Sequence, residues 1–127
     1  FNYHLRIAEL SIQHNDLDKA MIHLDNASKL QSDNQDSGKL QEILGNLFAA
    51  RKQFDRAYKA YSSSIKLTPT NPDLYFNAGL ALKQLKDYSE AMLMFKKSVE
   101  IDPQNVSAHR QLAAVSALSL ISGEVTA

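Results

Sequence analysis

Apolar and small side chains recur along the chain at spacings of three and four residues. In one segment they fall at Phe54, Ala57, Tyr58, Tyr61 and Ile65. This spacing places all five on one stripe of an α-helix. Comparable stripes occur elsewhere in the chain, and together they predict helices near residues 2–14, 17–30, 38–51, 54–67, 72–85, 88–101 and 106–121.

The apolar pattern repeats with an offset of 34 residues. The segments QFDRAYKAYSSSIKLTP and DYSEAMLMFKKSVEIDP carry the same residue types at corresponding places. The corresponding pairs include Gly45/Gly79, Phe54/Tyr88, Ala57/Ala91, Tyr61/Phe95, Ser64/Ser98 and Pro69/Pro103. The segment LDKAMIHLDNASKL shows the pattern once more, 37 residues before its counterpart. A period of this length is typical of stacked helix–turn–helix units, each of which buries its apolar stripe against a neighbour.

Turn residues and small residues add detail to this prediction. The segment TPTNP ends one helix because its prolines cannot continue it, and Asn71 can cap the next one. Gly45 lies inside a predicted helix, where it costs about 1 kcal/mol relative to alanine. We expect that a neighbouring helix approaches closely there. Ala57 and Ala91 are interpreted in the same way, as small residues at helix contacts.

The composition excludes several classes of function. The 127 residues carry a formal net charge of zero, so no overall field attracts nucleic acid or an anionic membrane. The absence of cysteine excludes disulfides and thiol catalysis but leaves the compartment open. The longest run of low polarity, LAAVSALSLI, is too short to span a membrane. The chain begins at Phe1 and not at a methionine, so we expect an excised or processed fragment.

No pattern in the sequence indicates catalysis. The four histidines lack i, i+4 partners, although His14 and His23 could approach each other across one hairpin. There is no phosphate-binding loop and no nucleophile elbow. We therefore predict that the chain is not an enzyme and that it binds no metal and no cofactor.

The pattern and its period resemble the tetratricopeptide repeat family. The unit 72–105 carries the family's spaced signature at Tyr75, Gly79, Leu82, Tyr88, Ala91, Phe95, Ser98 and Pro103. The unit 38–71 matches it as well, but has Gln41 in place of the first aromatic residue. The resemblance implies an all-α fold, a right-handed superhelical array of antiparallel helix pairs with about seven helices. It also implies a single domain over residues 1–127, with repeat units near 1–37, 38–71 and 72–105 and a terminal helix at 106–121.

The resemblance further implies a function. Arrays of this family form superhelices in which the first helix of each repeat lines a concave groove. A peptide or helix of a partner protein docks in this groove. Carried over by register, the groove would contain Leu5, Glu9, Ile12, Lys39, Glu42, Asn46, Asp73, Phe76, Asn77, Leu80, Arg110 and Gln111. We therefore predict a non-catalytic protein–protein interaction scaffold that binds a protein or peptide, without nucleic acid binding or direct membrane insertion.

The groove residues argue against one well-known ligand of the family. A subclass of these repeats holds the C-terminal carboxylate of chaperone tails, and Asn46 and Asn77 occupy its two asparagine places. Its cationic places, however, hold Glu42, Ser107 and Gln111 in this chain. Because Glu42 would repel a carboxylate, chaperone-tail binding is not the predicted role.

Two alternative roles stay open. The chain could be a non-catalytic segment of a larger enzyme, such as a glycosyltransferase, that recruits protein substrates. It could also belong to a self-assembling array, because the last predicted helix is apolar on more than one face. Such a helix predicts either a missing neighbouring helix or self-association through this C-terminal helix.

Overall fold

The computed structural model describes residues 2–30 and 34–122 of the chain. Within these ranges every element of regular secondary structure is helical, which confirms the all-α prediction. The helices are α1 (Asn2–Gln13), α2 (Leu17–Leu30), α3 (Asn34–Ala50), α4 (Phe54–Leu67), α5 (Pro72–Gln84), α6 (Tyr88–Ile101) and α7 (Val106–Ser122). The largest deviation from the predicted bounds is at α3, which begins four residues earlier than predicted. None of these helices is long and apolar enough to cross a lipid bilayer.

The chain divides into two compact units. Unit 1 (Phe1–Pro69) contains α1 to α4, and unit 2 (Thr70–Ala127) contains α5 to α7. In unit 1 the helices α1, α2 and α3 share a buried core, formed by Leu5, Ala8, Ala20, Leu24, Ala27, Leu40, Ile43 and Leu47. The single domain of three repeats that the sequence indicates stays a prediction.

The hairpins α3–α4 and α5–α6 are closed by equivalent glycine–aromatic contacts. A Cβ atom built on Gly45 would lie 2.6 Å from Cε1 of Tyr61, and one built on Gly79 would lie 2.7 Å from Cε1 of Phe95. Both aromatic residues are almost completely buried. The predicted close approach at Gly45 is therefore confirmed, and it recurs at the same offset of 34 residues.

Buried serines form hydrogen bonds between the two helices of each of these hairpins, at the end opposite the turn. The Ser64 hydroxyl donates to the carbonyl of Gly38 at 2.7 Å, and the Ser98 hydroxyl donates to the carbonyl of Pro72 at 3.0 Å. These bonds join the end of the second helix to the start of the first, so the two helices of each pair run antiparallel. Satisfying a buried hydroxyl in this way avoids the free-energy cost of an unpaired polar group.

Each hairpin turn contains one residue in the left-handed conformation. Asn15, Lys52 and Lys86 have φ values of 60°, 61° and 63°. The backbone N–H of the residue after each donates to the carbonyl five positions before it, at 2.7 to 3.0 Å. This is the Schellman arrangement that ends a helix, and it is usually built around glycine. In this chain asparagine and lysine adopt it instead.

The start of α5 in unit 2 is capped as the sequence indicates. The Asn71 side chain accepts from the backbone N–H of Asp73 at 3.0 Å, and Pro72 occupies the first turn of α5.

At the other end of this unit, α7 packs against α6 and leaves Val106 and Leu120 exposed.

Candidate functional site

In unit 1, α1 and α3 together form a cleft of about 300 Å³. Its lining consists of Glu9, Ile12, Gln13 and Asn46. Three of these four residues belong to the groove that the sequence predicts. Each of the three is half-buried, so its side chain is held by neighbours and still reaches solvent.

Lys39 connects this cleft to a second carboxylate. Its Nζ lies 3.1 Å from Oε1 of Glu9 and 3.4 Å from Oε1 of Glu42. Burial disfavours the charged ammonium, but the hydrogen bond to Glu9 and the negative charges of Glu42 and Glu9 outweigh it and raise the pKa of Lys39. Two carboxylates share one ammonium, so the cluster carries one excess negative charge.

Tyr61 fixes the orientation of Asn46 at the same place. Its hydroxyl donates to Oδ1 of Asn46 at 2.6 Å. Burial, and secondly the negative charge of Glu42, raise the pKa of Tyr61 well above its ordinary value, so the phenol stays neutral and remains a donor. Because Oδ1 is engaged in this way, the carboxamide of Asn46 offers its Nδ2 hydrogens to a ligand.

One predicted groove residue of unit 1 belongs elsewhere. Leu5 is only 4% exposed and lies in the buried core, so its predicted place in the groove is corrected to a core position. The physical reason is its position three residues before Ala8, on the stripe of α1 that packs into the unit.

In unit 2, two of the predicted groove residues interact within the unit. The Phe76 ring packs against the buried ring of Phe95, with centroids 5.7 Å apart and planes inclined by 60°. Gln111 of α7 accepts a hydrogen bond from Nζ of Lys83 on α5 at 3.0 Å. Both contacts reduce the freedom of these side chains to meet a partner.

The other four predicted residues of unit 2 differ in accessibility. Asn77 and Leu80 are half-buried on α5. Asp73 and Arg110 are exposed, at the start of α5 and on α7 respectively. The structure places all four on helices of unit 2, and their role in binding stays a prediction.

The histidines pair differently from the sequence-based expectation. Nδ1 of His23 lies 3.0 Å from Nδ1 of His4. The reason is the course of the hairpin, since His4 is near the start of α1 whereas His14 follows its end. Within residues 2–30 and 34–122 no three His, Cys, Asp or Glu side chains are grouped as a metal site would require.

Known family profiles match the repeated part of the chain. A profile described as TPR repeat matches residues 45–86, and one described as tetratricopeptide repeat matches residues 72–105. Residues 45–105 of the chain thus match the tetratricopeptide repeat family.

Two relatives of this chain are much longer than it is. It is 26% identical over 99 residues to the tetratricopeptide repeat-containing protein trd-1 of Caenorhabditis elegans, a match over 78% of this chain and 13% of that protein. It is 36% identical over 62 residues to the UDP-N-acetylglucosamine–peptide N-acetylglucosaminyltransferase of Giardia intestinalis, over 49% of this chain and 4% of that protein. The chain therefore spans a small part of either relative.

A solved tetratricopeptide repeat structure has the same fold. The first TPR of Spaghetti (RPAP3), bound to the HSP90 peptide SRMEEVD, aligns with a TM-score of 0.82 and 17% sequence identity. The alignment covers 91% of this chain and 91% of that chain. At this identity the likeness shows the fold alone.

Two residues of the unit 1 site were not predicted from the repeat register. Gln13 lines the cleft directly after Ile12, at the last position of α1. Tyr61 was assigned only to helix packing, because aromatic residues recur at that position of the repeat. The sequence does contain one signal for its hydrogen bond to Asn46, because Tyr61 carries a hydroxyl that Phe95 lacks at the equivalent position.

Proposed function

We propose that this tetratricopeptide repeat chain is a non-catalytic interaction scaffold that binds a peptide or helix of a partner protein. The observation that carries the proposal is the unit 1 cleft, where Glu9, Ile12 and Asn46 converge from α1 and α3. A cleft with one apolar wall and a few convergent polar groups is the usual form of a peptide-binding surface. The peptide in the RPAP3 structure supports a role of this general kind.

The chemistry of the cleft fits a peptide backbone. The Nδ2 hydrogens of Asn46 can donate to a peptide carbonyl, because Tyr61 engages the Oδ1 atom. Ile12 supplies apolar surface for a side chain, and Gln13 adds a donor and an acceptor at the edge. These groups bind and orient a ligand, and the proposal assigns no reaction to them.

Selection from a random peptide library tests the proposal. The immobilised chain of residues 1–127 should enrich specific peptides. The double variant Gln13→Ala/Asn46→Ala should weaken the binding of those peptides by about 10-fold, since each lost hydrogen bond is worth about 0.5–1.5 kcal/mol. The matched control is Gln84→Ala, an exposed position on α5. Circular dichroism of each variant checks that helicity is unchanged.

The outcomes separate the site from the function. If no peptide is enriched, the chain is not a scaffold of this kind. If peptides are enriched but bind the double variant and the control equally well, the binding surface lies outside the unit 1 cleft. The half-buried Asn77 is then the first position to test in unit 2, because Asn77→Ala leaves the packed ring of Phe76 in place.

The second candidate function is a substrate-recruiting segment of a larger enzyme. The 36% identity to a peptide N-acetylglucosaminyltransferase favours it, although the match covers 4% of that protein. Sequencing the complete gene tests this candidate. A catalytic domain in the same reading frame would support it, and a gene that encodes only repeats would contradict it.

Self-association through α7 also stays a prediction. Val106 and Leu120 are 67% and 70% exposed on this helix. Exposed apolar side chains of this kind favour contact with a second surface. Sedimentation at high concentration tests it, and a monomer under those conditions would contradict it.

A further inference from the structure

We infer that the unit 1 cleft selects a partner segment with a lysine or arginine side chain, in contrast to an acidic C-terminal tail. This inference rests on the proposed function and specifies the chemistry of the ligand. It is carried by the charge of the groups around the cleft and by the way in which their hydrogen-bonding atoms are occupied.

The charge around the cleft is negative and only half neutralised. Lys39 meets Glu9 and Glu42 through the Oε1 atom of each carboxylate. The side chain of Glu42 is 14% exposed and that of Glu9 is 40% exposed, so one carboxylate is sheltered from water while the other reaches it. A carboxylate accepts through both of its oxygens, so the Oε2 atom of the more exposed Glu9 can serve a second cation.

A ligand cation would complete this cluster. Its positive charge would equal the excess negative charge, so that two carboxylates face two cations. A lysine or arginine side chain also brings an aliphatic stem, which packs on apolar surface while its charged end stays near water. Ile12 provides that surface in the same cleft.

An acidic ligand meets the opposite conditions. Its carboxylate would lie near Glu9 and Glu42, and Lys39 is already shared between these two residues. Tyr61 is neutral and its hydroxyl donates to Asn46, so it supplies no positive charge. Like charges in a partly buried site repel, which lowers the affinity for such a ligand.

Three variants test the charge preference on a peptide enriched from the random library. Glu9→Gln should weaken the binding of a basic peptide by about 3- to 10-fold, the range expected for one partly exposed charge contact. Lys39→Met should strengthen its binding by a similar factor, about 3- to 10-fold, because it removes the competing cation. The matched control Asp25→Asn removes one negative charge from the exposed side of α2 in the same unit and should leave the affinity unchanged.

Two defined probes and a salt series complete the test. The synthetic peptide SRMEEVD should bind more weakly than SRMKKVK, in which lysine replaces each of its three acidic residues. Affinity for the basic probe should fall as sodium chloride is raised, because salt screens exposed charges. Enriched peptides that lack lysine and arginine, or that bind equally well to Glu9→Gln, would overturn the inference and leave the proposed function standing. A library that yields no peptide would overturn both.

Discussion

Replacing Gly79 by alanine tests the contact that closes the α5–α6 hairpin. Alanine is the better helix former by about 1 kcal/mol, so helix propensity alone predicts a more stable protein. The structure predicts the opposite sign. A Cβ at this position would lie 2.7 Å from Cε1 of Phe95 and 2.9 Å from both Cδ1 and Cζ. Phe95 is completely buried and packs against Phe76, so displacing its ring would disturb a packed contact.

The magnitude follows from two opposing free-energy changes. Forcing an extra methyl group into a packed interior costs about 1–3 kcal/mol. Three ring atoms of Phe95 would lie closer than 3.0 Å to the added Cβ, so we expect the cost of Gly79→Ala to be near the upper end of this range. Subtracting the gain in helix propensity of about 1 kcal/mol leaves a net loss in the free energy of unfolding of about 2 kcal/mol.

Urea unfolding followed by far-ultraviolet circular dichroism measures this loss. The matched control is Gly38→Ala in α3, where the added Cβ would lie 3.2 Å from Cγ2 of Thr68. That methyl group belongs to a half-buried side chain directly after α4, and a shift of a few tenths of an ångström relieves the contact. We therefore expect the control to be neutral or to gain up to about 1 kcal/mol.

A double-mutant cycle with Phe95→Leu identifies the atoms responsible. Because leucine lacks the ring atoms next to Gly79, the second substitution should relieve the clash and give a coupling energy of about 1 kcal/mol or more. The reasoning is refuted if Gly79→Ala is as stable as the natural protein and the cycle is additive.

Three further predictions concern single positions. Lys86→Gly should raise the free energy of unfolding by about 0.5–1 kcal/mol, because glycine adopts the left-handed conformation of this residue without strain. The control Lys96→Gly on the exposed face of α6 should lower the free energy of unfolding by about 1 kcal/mol. Equal losses of stability in the two variants would contradict the left-handed conformation of Lys86. Ala57→Leu should cost about 1–3 kcal/mol in the same assay because Ala57 is fully buried, whereas Ala50→Leu at an exposed position should change little; a neutral Ala57→Leu would contradict the helix register. Because the pKa of Tyr61 is raised in the folded state, its contribution to stability is complete below the unfolded-state pKa near 10 and is lost as the pH rises above that value. In an alkaline titration followed by tyrosinate absorbance, Tyr61→Phe should lack the most alkaline step of the natural protein. An unchanged last step would exclude the raised pKa.

Much of the fold could be predicted because it depends on contacts that recur. The glycine–aromatic contact can be recognised in the sequence. Gly45 and Gly79 lie inside predicted helices, and the same number of residues separates Gly45 from Tyr61 and Gly79 from Phe95. The helix start at Asn71 follows from local chemistry that involves only adjacent residues. Repetition and local capping are both properties of the sequence itself.

The candidate site was less predictable because it depends on contacts that occur once. The pairing of Lys39 with Glu9 joins two long side chains from different helices, and no spacing rule fixes their rotamers. Leu5 was misplaced because an apolar residue at the edge of a helix stripe can face either the core or a groove. The bond from Tyr61 to Asn46 needs a hydroxyl that the repeat pattern does not distinguish from a phenylalanine ring.

The hairpin-closing contacts have a consequence for the order of events during folding. Tyr61 and Asn46 are 15 residues apart, and the serine bonds at Ser64 and Ser98 each span 26 residues. Closing a short loop loses less chain entropy than closing a long one, and proteins dominated by such local contacts fold quickly. We therefore expect the α3–α4 and α5–α6 hairpins to form early and independently, as two nuclei in one polypeptide.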